Sequence, residues 1–170
     1  MILTNYGLSC FRLLSTTNET SVLIDPFDQS AGWKLPRLGA DLVLYSENPA
    51  SESPYKDKDG EPAFGISGPG EYEVKTIFVY GIDCGKKNKK GGLGDHTTIF
   101  VLAIDDMFVG HLGGLDRTLT EKELDQLGRI DVLLLPVGGG SVLDAKLALD
   151  VIGQIEPRIV VPMTYKLPGL

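Results

Sequence analysis

The chain has 170 residues, 42% of them hydrophobic and 23% charged, which suits a single domain over 1–170 with a core that needs no disulfide or metal support. Its formal net charge of −7 opposes nucleic acid and anionic membrane surfaces as partners. Two cysteines, Cys10 and Cys84, make no disulfide framework, no apolar run is long enough to span a bilayer, and the start lacks a signal-peptide pattern, so a cytoplasmic protein is expected.

In chain order, Ser9–Leu14 and Ser21–Ile24 read as short strands separated by the turn-rich 15–20. Pro26 ends the second, because it cannot donate to a ladder. Leu42–Tyr45 is an apolar strand that runs into a polar loop over 46–61. Gly68-Pro69-Gly70 is a tight turn, and the alternation over Glu71–Tyr80 predicts one long strand. Asp83–Asp95, rich in glycine and lysine, is expected to be a loop. Thr97–Ile104 and Met107–Gly110 are strands joined by a turn at Asp105-Asp106. Thr120 with Glu123 three residues on forms a capping-box pattern for a helix that Gly128 stops. Asp131–Pro136 predicts a buried strand, Leu143–Ile152 a helix by its apolar spacing, and Arg158–Pro162 a last strand. The pattern alone supports an α/β protein with mixed sheets.

Several stretches, taken in order, resemble one branch of the metallo-β-lactamase fold, the small Zn-dependent hydrolases related to ascorbate-phosphate lactonases. They are Ile24-Asp25-Pro26-Phe27, Asp41–Tyr45, Gly68-Pro-Gly-Glu-Tyr-Glu-Val74, His111-Leu-Gly-Gly114, Asp131–Gly139 with Asp144-Ala145, and Pro162-Met-Thr-Tyr-Lys166. The resemblance spans about Leu23 to Pro168. It implies an αβ/βα four-layer sandwich, two mixed sheets packed face to face with helices outside. It also implies a hydrolytic site in which histidines and aspartates hold two zinc or manganese ions.

The ligand positions of that site fall on residues of other chemistry. The loop whose family pattern is His-x-His-x-Asp-His reads Glu47-Asn48-Pro49-Ala50-Ser51-Glu52 here. A middle histidine falls near Gly85, the bridging aspartate on Gly114 and the last histidine on Thr164. Zinc needs deprotonated N, O or S donors, usually four per ion. The expectation is therefore a metal-free, non-catalytic protein, without a cofactor, that binds a small molecule or protein or associates with itself as a homo-oligomer. The rival expectation is a metal-dependent hydrolase of phosphoester or lactone type whose site is rebuilt from Glu47, Glu52, His111 and Asp116, oxygen donors that suit one Mg²⁺, Mn²⁺ or Ca²⁺. A third is a structural subunit supporting an active paralogue.

Gly138-Gly139-Gly140-Ser141 stands between a strand and a helix, where backbone N–H groups can hold an anion. The same stretch also reads as a plain turn. The lysines over 86–90 lack interleaved aromatics and read as a solvated loop. Trp33 is read as covering the core edge, with a partner anchor as the alternative.

Overall fold

The computed structural model describes residues 1–27, 34–47, 53–87 and 93–165. Eleven strands and two helices follow in chain order among them. The first sheet contains β1 (Ile2–Gly7), β2 (Cys10–Leu14), β3 (Ser21–Ile24), β4 (Leu42–Leu44) and β5 (Phe64–Ile66), side by side in that order. The second contains β6 (Gly70–Val74), β7 (Ile77–Lys87), β8 (Leu93–Ile104), β9 (Met107–His111), β10 (Val132–Pro136) and β11 (Ile159–Met163), again neighbour to neighbour. Both are mixed. In the first, β3, β4 and β5 are parallel and the remainder antiparallel. In the second, β9, β10 and β11 are parallel.

Period-2 alternation explains why the sheets stack. Phe11, Leu13, Val22, Ile24, Leu42 and Leu44 of the first sheet meet Val79, Phe100, Leu102, Val109 and Leu134 of the second in one buried layer. The opposite face of the second sheet, with Ile82, Cys84, Val101, Leu133 and Leu135, is covered by α1 (Glu121–Leu127) and α2 (Ala145–Ile155). Helix α1 begins on the expected capping box, with Thr120 accepting from the Glu123 N–H and Glu123 accepting from the Thr120 N–H. The outer face of the first sheet is covered among the described residues by irregular chain, with Leu35, Leu38, Tyr55 and Ala63 lying on Leu23 and Val43. Pro36 and Gly39 in that cover disfavour a helix.

Three expectations change. Residues Glu71–Tyr80 are not one strand. They form the hairpin β6–β7, turning at Lys75 and Thr76, whose φ angles are 47° and 71°. Much of the expected loop over 83–95 is strand, because β7 runs to Lys87 and β8 starts at Leu93. Strands β1 and β5 have no counterpart in the sequence reading, and β5 is only three residues long. No helix among the described residues is long and apolar enough to cross a membrane.

Candidate functional site

The carboxyl ends of β3, β4 and β9 converge at one edge of the sandwich, where parallel strands usually present their chemistry. Asp25, just past β3, accepts from the Ser46 N–H at 2.6 Å and from the Ser46 hydroxyl. The Ser46 carbonyl in turn accepts from the Thr98 N–H at 2.7 Å and the Thr97 hydroxyl at 3.4 Å, so the two sheets are stitched together here. Gly113 closes onto this stitch with φ at 53°. A Cβ there would lie 2.5 Å from Ser46 Cβ and 2.6 Å from Thr97 Oγ1.

His111 ends β9 and is fully buried. Its Nδ1 accepts from the Gly113 N–H at 3.2 Å, which puts the proton on Nε2, 3.1 Å from the Ser9 carbonyl. Asp25 Oδ2 lies 3.8 Å from the same nitrogen, and the ring meets Phe11 edge-on. Both ring nitrogens are thus committed to backbone groups. His111 braces the crevice floor and has no lone pair left for a metal ion.

Lys86 and Glu47 form an ion pair across the crevice, directly over Gly114. A Cβ on Gly114 would come 2.7 Å from Glu47 Oε1 and 2.8 Å from Lys86 Cε. The end of β7 is held from behind. Arg117 donates from Nε to the Gly85 carbonyl at 2.8 Å and pairs with both Glu123 oxygens at 2.7 and 2.9 Å. Burial disfavours the Glu123 anion, but the Arg117 guanidinium and the Thr120 N–H outweigh it and lower its pKa to about 2. Burial, and then the nearby Glu123 charge, push the Cys84 thiol up. Burial and the charge of Asp25 raise Cys10 to about 12. Neither cysteine is poised as a thiolate nucleophile.

The sequence-expected positions fare differently. Glu47, Gly85, Gly114 and Thr164 lie among the described residues, whereas Pro49, Ser51 and Glu52 lie outside them, as do Trp33 and the lysines at 89 and 90. Glu47 and Gly114 come together at the Lys86 pair. Gly85 offers its carbonyl to Arg117. Thr164 follows β11 with φ at 51°, and its N–H donates to the Leu8 carbonyl at 3.1 Å. Asp116 sits two residues past Gly114, and its charge acts on Arg117. Within the turn at 138–141, the Gly139 N–H is spent on the Leu143 carbonyl at 2.9 Å. Asp144 Oδ1 already accepts from the Leu147 N–H at the start of α2.

Among the described residues no three His, Cys, Asp or Glu side chains gather as a metal shell. With Gly114 supplying no donor and Lys86 standing over it, these residues do not fit the paired ions that the resemblance implies. Sequence reasoning missed Lys86, Arg117, Asp25 and Ser46. The signal for Lys86 was available: Tyr80, Ile82, Cys84 and Lys86 share a period of two, which extends β7 through it.

A family model described as a beta-lactamase superfamily domain matches residues 2–164. A UPF0173 protein of Pyrococcus abyssi (strain GE5 / Orsay) is 29% identical over 94% of this chain and 81% of its own length. A UPF0173 metal-dependent hydrolase of Anaeromyxobacter sp. (strain K) is 41% identical over 32% of this chain and 20% of its own length. Among solved structures, a protein of Thermotoga maritima, provisionally described as a Zn-dependent hydrolase of the metallo-beta-lactamase superfamily, superposes with a TM-score of 0.81. It is 29% identical and is matched over 99% of this chain and 77% of its own. Igni18, a metallo hydrolase of Ignicoccus hospitalis, shares the fold at a TM-score of 0.66, 20% identity, and 96% and 82% coverage.

These relatives overturn the expectation of a metal-free, non-catalytic protein, since hydrolase names recur among them, several with metal dependence. The rival expectation of a hydrolase fits them better. Residues of other chemistry at the positions that the resemblance assigns to ligands do not by themselves exclude a reaction there.

Proposed function

The chain belongs to the beta-lactamase superfamily, and from that premise we propose that it is a hydrolase of phosphoester or lactone type working in a rebuilt site at the carboxyl ends of β4, β7 and β9. The observation that carries this reading is the convergence of Glu47 and Lys86 over Gly114 at the family's crevice, on a floor locked by Asp25, Ser46, Thr97 and His111. Glu47 is the described carboxylate placed to take a proton from a water or to bind a cation. Lys86 is placed to hold a negatively charged group. The metal dependence is carried by the names of the relatives and not by the described donors, which do not fit the two-ion shell. The two buried free cysteines support a cytoplasmic setting as part of the same reading.

The test uses protein purified without chelator. Bound zinc and manganese are measured by elemental mass spectrometry. Hydrolysis of bis(p-nitrophenyl) phosphate and of a γ-lactone is followed before and after chelation and metal replacement. Turnover above the buffer blank is expected, falling about 10²–10⁴-fold in Glu47→Ala, the ordinary loss for a general acid–base group. Protein that carries no metal and hydrolyses neither substrate, with or without added zinc or manganese, overturns the proposal.

A further inference from the structure

Lys86 stands near the end of β7, beside an irregularity in the ladder. The β7–β8 ladder shifts register between Gly85 and Lys87, and such irregularities re-aim a side chain at the rim of a sheet. Arg117 fixes the Gly85 carbonyl on one side of Lys86. The ammonium therefore comes to rest over Gly114, on Glu47. Only a residue without a side chain at 114 leaves that space, so the glycine and the lysine are complementary.

The two partners are unequally held. Lys86 is 16% exposed and Glu47 is 61% exposed. The cation is built into the wall, while the carboxylate reaches in from solvent. A largely enclosed ammonium needs an anionic partner. Glu47 supplies one from a side chain that is largely exposed to solvent. Among the described residues Arg117 does not compete for this role, because it is spent on Glu123 and on two carbonyls.

We propose that Lys86 is the anion-binding group of the crevice and takes a ligand bearing a phosphate or carboxylate by exchange with the Glu47 carboxylate. This inference rests on the reading of the crevice as the working site, and it names the class of substrate: an ester or lactone that carries an oxyanion. Glu47 acts as an internal stand-in that keeps the ammonium satisfied between ligands.

The test is titration with inorganic phosphate, and separately with acetate, at low ionic strength, followed by amide chemical shifts. The wild-type protein is expected to show saturable shifts at Gly114 and around Lys86. Lys86→Ala should weaken phosphate binding at least about tenfold, and Lys86→Arg should restore most of it. Glu47→Gln should tighten binding several-fold, because it removes the competing charge while keeping the fold. A purely structural ion pair predicts the opposite, no gain from Glu47→Gln. Gly114→Asp fills the space under the ammonium and should abolish the response. Tighter binding of phosphate than of acetate assigns a phosphoryl ligand, and the reverse order a carboxylate. No saturable response in the wild-type protein, or equal affinity in Lys86→Ala, overturns the inference. Hydrolysis that persists in Lys86→Ala would do so too and leave the hydrolase reading standing. Phosphate binding without turnover removes that reading and leaves this one.

Discussion

A methyl group at position 113 would press against both Ser46 and Thr97, so this glycine is a condition of the crevice floor. Gly113→Ala adds strain at a positive φ to that overlap, and a loss of roughly 1–3 kcal/mol in urea unfolding is expected. Glu123 makes a different prediction. Its folded pKa, about 2, lies below its ordinary 4.5. The Arg117 pair therefore contributes stability that is fully present above pH 4.5 and is lost as pH falls toward 2. Melting temperatures of wild type and Glu123→Gln should converge over that acid range; parallel curves would show that the pair does not carry the effect. The site was only partly legible at this scale. The expectation that Gly114 and Thr164 stand at the family's ligand positions could be read directly from residue identity. That Lys86 fills the space over Gly114 could not, because it depends on contact between residues far apart in the chain.

At the scale of elements, legibility followed burial and local chemistry. Strands β3 and β10 are buried at every position, so apart from Ser21 their sequences are apolar runs. Helix α1 announced itself because its capping box is a contact between residues three apart. Thr120→Ala should cost about 1 kcal/mol, measured by thermal unfolding. Strand β1 stayed hidden because its burial follows no clean alternation. The β6–β7 turn stayed hidden because Lys75 and Thr76 are poor turn residues held by distant partners. Lys75 donates to Asp41 at 2.6 Å, and Asn18 donates to the Thr76 hydroxyl. The β8–β9 turn is the contrasting case, with Asp105 and Asp106 at φ 48° and 60°. Asp106→Gly supplies the second residue that such a turn prefers, and a gain of about 0.5–1 kcal/mol is expected by equilibrium unfolding.

For the whole molecule, the layer between the sheets is the main source of cohesion. Phe100 lies fully buried in it, on the strand that joins the hairpin half of the second sheet to its parallel half. Phe100→Ala should cost about 3–5 kcal/mol in urea unfolding, a large fraction of the stability of a domain this size. The order of strands within each sheet has a consequence for synthesis. Every strand lies beside its neighbour in sequence, and the first sheet is complete by Ile66, before the second begins at Gly70. As the chain leaves a ribosome, the first sheet can pair from contacts already made, which favours early, local zippering. Its greasy inner face, Phe11 through Leu44, gains its first partners from the second sheet at Ile77 and Val79 and its last at Met163. The Thr164 N–H, bonded to the Leu8 carbonyl, fastens the last strand back to the first hairpin. The nascent chain can close its sandwich fully only when that late residue emerges, so the interval before it is when the half-built protein most needs a chaperone.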